Sequence, residues 1–181
     1  RSAHINSWLR DNGYLVLSGA EEGEGFFQNV DWSRTKAYSL GFGGIYLNLA
    51  GREGEGIIKA AEMAGLKDEI AEKLRAWRDP QIDARVVNGV YDGAEIFHGA
   101  YAKDAPDLYV GFARGYRASW QTALGAAPKP LLEDNRKPWS GTHLVDPGLV
   151  PGILFCNRKI TKANPEMYDL APTILKLIGL T

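Results

Sequence analysis

Apolar positions recur at helical spacing in three places along this chain. In INSWLRDNGYLVL, Ile5, Trp8 and Leu9 fall at i, i+3 and i+4, which predicts a short amphipathic helix stopped by Gly13. Leu66, Ile70, Leu74 and Trp77 repeat the pattern, with Lys67, Asp68, Glu69, Glu72, Lys73 and Arg75 between them. The spacing predicts a helix over 66–77 that Asp79-Pro80 ends, because the residue before a proline is pushed out of the helical region. YDLAPTILKLIG, residues 168–179, predicts a closing helix. Asp169 is its cap, Pro172 sits in the first turn where no backbone donor is needed, and Gly179 terminates it. Ile174, Leu177 and Ile178 would form its buried stripe.

Between these helices the pattern shortens to strand-like runs. Tyr14–Leu17 reads as a short strand, and the glycine- and glutamate-rich SGAEEGEGFF after it as an exposed loop. TKAYSLGFGGIYLNL is broken by Gly41, Gly43 and Gly44, leaving 45–49 as a buried strand that ends around Asn48. These glycines do not make a dinucleotide fingerprint, since neither a helix nor a strand-end acid follows in the required place. RVVNGVYDGAEIF, split by Asn88-Gly89, predicts a hairpin. Asp107–Phe112 and Ile153–Cys156 are further strand candidates, and 115–130 shows no period. With neither repeat nor linker, residues 1–181 read as a single mixed α/β unit.

Composition narrows the function classes. The formal charge of −1, from 21 basic and 22 acidic side chains, supplies no footprint for nucleic acid. No apolar run is long enough to span a bilayer. A single cysteine, Cys156, excludes an intrachain disulfide and a cysteine-built zinc site. The chain opens on Arg1, with its only methionines at 63 and 167, so it reads as part of something longer. Of three histidines, His4 is expected to be exposed near the start and His98 to sit in a turn. His143, in WSGTHLVDPGLVPGIL, is either a polar turn residue or a ligand. Thr142, Ser140 and Thr122 are the hydroxyls a nucleophile could be sought among, but none is placed beside a base, so no catalytic residue is assigned. Asp146-Pro147 is expected to shape a turn, Asp107 to begin a strand, and Asn48 to cap a strand end.

Several stretches together resemble the type I phosphodiesterase/nucleotide pyrophosphatase branch of the alkaline phosphatase superfamily. They are INSWLRDNGYLVL, VDWSRTKAYSLGFGGIYLNLAGREGEGI, AWRDP, APDLYVGFARGYRASW, WSGTHLVDPGLVPGIL and YDLAPTILKLIGL, in the family's order. The resemblance implies the C-terminal part of an alkaline-phosphatase-like fold, a mixed sheet with flanking helices. It also implies a metal-dependent phosphoester hydrolase with two divalent ions, usually zinc, beside a threonine or serine nucleophile. Such ions offset charge on the transferring phosphoryl group and lower the pKa of the attacking hydroxyl. The family's late Gly-x-His segment corresponds to Gly141-Thr142-His143, which makes His143 a metal ligand and the one site residue carried over.

The family's nucleophile and its Asp-His-Gly motif have no counterpart here, for the chain holds no Asp-His pair. One histidine cannot supply the four ligands that zinc takes. The expectation is therefore a C-terminal portion, inactive alone and holding no metal tightly, that acts on a small phosphoester together with the remainder of its parent chain. The rival is a non-catalytic module that packs against a partner chain or against the missing part of its own protein.

Overall fold

A computed structural model describes residues 1–19, 22–136, 138, 141–142 and 144–180. His143 and Ser140 therefore lie outside the described residues. The chain is mixed α/β and divides into two compact units, Arg1–Val150 and Pro151–Thr181, where the sequence reads as one. No described helix is long and apolar enough to cross a membrane.

The first unit opens with β1 (Ser2–Ala3) and α1 (Ile5–Asp11). Ile5, Trp8 and Leu9 are buried, as their spacing predicts, and Gly13 ends the helix at φ 77°, a conformation costly for any residue with a Cβ. Tyr14 and Leu15 are buried but join no strand; only Leu17 makes an isolated bridge, to Val30. The segment read as one broken strand is a hairpin of β2 (Ala37–Leu40) and β3 (Gly44–Leu47). Gly41 and Gly43, at φ 75° and 131°, make its turn, while Tyr38 and Tyr46 stack across it with centroids 5.4 Å apart. Then comes α2 (Met63–Arg75), which lays Ile70, Ala71 and Leu74 into the core. Burying Ile70 and Leu74 contributes about 1.5–3 kcal/mol each relative to exposure.

Next come β4 (Arg78–Asp79), β5 (Ala84–Arg85), β6 (Val87–Asp92) and a helical turn, α3 (Gly93–Ile96). Asn88-Gly89 is not the hairpin turn that its dipeptide suggests. It lies at a register shift within β6, whose partner is β7 (Leu108–Phe112), far along the chain. Tertiary pairing outweighed the local turn signal there. The main sheet runs β2-β3-β7-β6, all antiparallel, with α2 packed on β6 and α1 on β2. The stretch without periodicity contains β8 (Arg117–Ala118) and α4 (Trp120–Ala123), the latter capped by the Ser119 hydroxyl, which accepts from Gln121 and Thr122 N–H. With β9 (Leu132–Glu133) a second sheet forms in the order β8-β1-β9.

Asp79, of the AWRDP segment, ties the start of this unit to its middle. Its buried carboxylate accepts from Arg1 Nη1 (2.8 and 2.7 Å), Tyr116 Oη (2.9 Å) and Gln81 N (3.0 Å). Burial alone would raise its pKa; bonds from Arg1, Gln81 and Tyr116 outweigh that and hold it below the usual carboxylate range.

In the second unit, Met167–Asp169 form a 3-10 turn that leads into α5 (Leu170–Leu177), with Gly179 at φ 82° just past its end. Asp169 caps the turn rather than the helix: its carboxylate accepts from Glu166 N at 2.8 Å and from Lys162 Nζ. Two expectations fail in this unit. Ile153–Cys156 pair with no strand and are exposed, and Ile174, Leu177 and Ile178 are not a buried stripe, being 56, 57 and 66% exposed. Amphipathic spacing identifies an apolar face but does not supply the surface that covers it.

Candidate functional site

The second sheet and the segment that follows it assemble the residues with chemical capacity. A cavity of about 370 Å³ is lined by Ser2, Arg117, Ser119, Trp120, Glu133 and Arg136, among others. The lining carries Arg117 and Arg136 together with Glu133 and Asp134, so both signs of charge meet there. Beside it, Thr142 and Val145, on either side of position 143, line a cavity of about 220 Å³ with Arg1, Tyr116 and Arg117. Thr142 and Val145 thus border one of the two cavities on which Arg117 opens. Sequence reasoning assigned no role to Arg117, Trp120 or Arg136, which lie in aperiodic stretches; Arg117 and Trp120 fall within the quoted APDLYVGFARGYRASW segment, and Ser119 is a capping residue ahead of a turn.

His4, expected at the surface, is fully buried. It caps α1 by position, and its backbone N–H donates to Leu131 O at 3.0 Å. Neither ring nitrogen has a hydrogen-bond partner among the described residues, and Nε2 lies 3.6 Å from Glu133 Oε2. Burial pushes the imidazolium pKa below its ordinary value of 6.5, with Glu133 opposing. A depressed pKa means that the unfolded chain takes up the proton first. Stability linked to His4 is therefore whole above pH 6.5 and is lost as pH falls from there through the folded value. A His4→Gln variant is expected to show a flatter dependence of urea midpoint on pH below 6.5 than the parent chain. Equal slopes would remove His4 as the titrating group.

Of the sequence-designated hydroxyls, Thr122 and Thr142 have no base bonded to them among the described residues. Thr122 is buried in α4, its Oγ1 unpartnered among the described residues. Thr142 is exposed and its Oγ1 accepts from Leu144 N at 3.1 Å. His98 is exposed in the loop beyond α3. Asn48, fully buried, has the strand-end role expected: Nδ2 is shared among the carbonyls of Trp32, Thr35 and Glu55 at 2.9–3.1 Å. Asp107 and Asp146 are both buried structural acceptors. Asp107 binds Arg52 and Leu47 N–H, and Asp146 binds Gly148 N–H within the Pro147–Leu149 turn.

Among the described residues no three or more His, Cys, Asp or Glu side chains are grouped to hold a metal ion. His4 and Glu133 come within 3.6 Å of each other, and two donors fall short of the four that zinc takes. The described residues alone therefore do not fit the two-metal centre that the resemblance implies. No protein-family model, curated protein or solved structure matches this chain.

Proposed function

We propose that the chain is the C-terminal portion of a metal-dependent phosphoester hydrolase of the alkaline-phosphatase type, with His143 supplying one metal ligand. The motif set carries this reading, and one structural observation supports it. Segments matched separately in the sequence meet in space. APDLYVG joins NLAGREG through Asp107 and Arg52, and Thr142 and Val145 border a cavity that Arg117 of GYRASW also lines. The guanidinium groups of Arg117 and Arg136 would meet a phosphoester anion in the first cavity, whose lining also holds Glu133 and Asp134. The ions would supply charge neutralisation at phosphorus. The nucleophile and the other ligands come from outside this span.

The test uses the product of the parent gene, purified with zinc and assayed on bis(p-nitrophenyl) phosphate. His143→Ala is expected to lower kcat/KM at least about 100-fold, since even residues that only support metal ligands are worth 10–100-fold. Bound zinc should drop from two ions per chain. Unchanged zinc and unchanged hydrolysis would remove His143 from the centre.

A second reading, a non-catalytic module that packs on a partner, is favoured by Pro151–Thr181. Phe155, Ile153 and Met167 are 91, 82 and 82% exposed there, and contiguous exposed apolar side chains mark interfaces. A gene product without hydrolysis under any divalent metal, yet forming a stable complex through this segment, would favour it over the enzyme.

A further inference from the structure

We infer that the cavity over the second sheet binds a small zwitterion, an ammonium joined by a short tether to an oxyanion, between Glu133 on one side and Arg117 on the other. The inference goes beyond the hydrolase reading, since binding there calls for no metal. Its basis is the strand register. Ser2 of β1 pairs with Arg117 of β8 and with Glu133 of β9, so the three stand in one cross-strand row. Directly opposed residues project from the same face of a sheet. The next row, Ala118-Ala3-Leu132, takes the other face: Ala3 and Ala118 are buried in the core and Leu132 packs against it. Arg117, Ser2 and Glu133 are thereby left to line the cavity, joined by Ser119, two residues on from Arg117.

The order of the row sets the chemistry. A serine stands between two long charged side chains, so the floor is low in the middle and flanked by opposite charges. Neighbouring strands lie about 4.8 Å apart, which puts roughly 10 Å between the backbones of Arg117 and Glu133. The cavity over this trough has a volume of about 370 Å³, and ligand sites begin near about 300 Å³. Asp134, also in the lining, already pairs with Arg1 Nε at 2.8 Å. Glu133 instead meets His4, whose Nε2 is 3.6 Å away and whose imidazole is kept by burial from charging at neutral pH. The Glu133 side chain, 61% exposed, thus keeps its charge for a cation from solvent. Arg136 adds a second guanidinium, and such groups take carboxylate or phosphoryl oxygens two at a time. Trp120, held edge-on to Phe42 with centroids 4.9 Å apart, contributes an exposed ring, a surface that also favours ammonium. A bare anion would lie beside the Glu133 carboxylate, and a bare cation beside the guanidinium groups; a zwitterion matches both sides.

Matched probes test this on the chain and tell a carboxylate end from a phosphoryl one. Binding is measured by calorimetry for β-alanine, phosphoethanolamine, ethanolamine and inorganic phosphate. The Trp120 indole N–H resonance, assigned with Trp120→Phe, locates it. One of the two zwitterions is expected to bind at least about tenfold more tightly than ethanolamine and phosphate, with the Trp120 resonance shifted. β-Alanine as the tighter of the pair identifies a carboxylate ligand, phosphoethanolamine a phosphoryl one. Glu133→Gln, nearly isosteric and at an exposed position, should weaken that zwitterion about tenfold or more and leave phosphate unweakened. Arg117→Gln should weaken zwitterion and phosphate alike, and Arg136→Gln supplies the same arm should Arg117→Gln unfold the chain. Phosphate that binds as tightly as the zwitterions, with Glu133→Gln without effect, overturns the proposal in favour of an anion site alone. Binding by no probe, or binding without a shift at Trp120, overturns it outright. None of these results bears on the zinc and hydrolysis assay of His143→Ala, so failure here and failure of the hydrolase reading are separable.

Discussion

Asp107→Ala is expected to destabilise the chain by about 3 kcal/mol, toward the lower end of what breaking a buried ion pair costs. The side chain is 4% exposed and every acceptor on it is in use. Oδ2 accepts from Leu47 N at 2.7 Å and from Arg52 Nη2 at 2.6 Å, while Oδ1 accepts from Arg52 Nη1 at 3.0 Å. Truncation leaves the Leu47 N–H without its partner in the core, worth about 1–3 kcal/mol alone. The guanidinium suffers less. Arg52 is 26% exposed and keeps Glu53 Oε1 and Leu47 O, each at 2.8 Å, so it is not left as an isolated buried charge. That difference holds the figure near 3 rather than 5 kcal/mol. Asp107→Asn, which preserves an acceptor but not the charge, should cost roughly half as much. Urea unfolding with an unchanged m-value is the measurement. In an Arg52→Ala background the effect of Asp107→Ala should shrink, because the two residues share one interaction. A loss below 1 kcal/mol for Asp107→Ala would show that Leu47 N–H finds water or another acceptor.

The elements legible in the sequence are those whose stability is local or periodic. The helix over 66–77 was readable because four apolar residues repeat at its period, and α1 because Gly13 marks its end; both are present, α2 three residues longer at its start and two shorter at its end. Asp146 was readable as a turn residue because one of its bonds, from Gly148 N, is local; its bond from Tyr91 and the bonds of Asn48 to Trp32 and Thr35 reach across the chain. Pairing between distant segments was not readable. Asn88-Gly89 imitates a hairpin turn, yet β6 pairs with β7 some twenty residues on. His4 was placed at the surface because it lies near the first residue, whereas β1 threads between β8 and β9 and draws it inside. At the candidate site, the sequence motif singles out residue 143, which lies outside the described residues. Arg117 and Arg136, which line one cavity, come from two stretches that carry no periodic signal. The exposed apolar face of α5 shows the converse limit: the pattern names the face, and a surface beyond the helix must complete it.

Two glycines in the GREGEG segment, separated by Glu55, are expected to respond oppositely to alanine. At Gly56 an added Cβ would overlap the Leu49 carbonyl and stand 2.6 Å from Ala50 N, both backbone atoms that no rotamer change can move. The loop around them is pinned from several sides. Leu49 N donates to Glu53 Oε2 at 2.8 Å, Ala50 N to Ile58 O at 2.9 Å, and Ile57 N and Ile58 N to Asn48 O at 2.9 Å. Asn48 Nδ2 also holds Glu55 O at 3.1 Å, directly before the glycine. Relief of the overlap must break some of these bonds, and each broken bond in a buried setting leaves an unsatisfied group. Gly56→Ala is therefore expected to cost about 4 kcal/mol or more, in the range reserved for overpacking against immovable atoms. At Gly54 an added Cβ meets nothing within 4 Å and the backbone is not in the left-handed region. Gly54→Ala should change stability by less than about 0.5 kcal/mol and in the stabilising direction, because alanine narrows the unfolded ensemble. Paired thermal melts of the two variants read the contrast directly, at several degrees per kcal/mol for a chain of this size. If both alanines melt with the parent, the loop opens without cost and Asn48 does not hold it. If both are severely destabilised, the strain lies in backbone dihedrals rather than in the approach of Gly56 to Leu49.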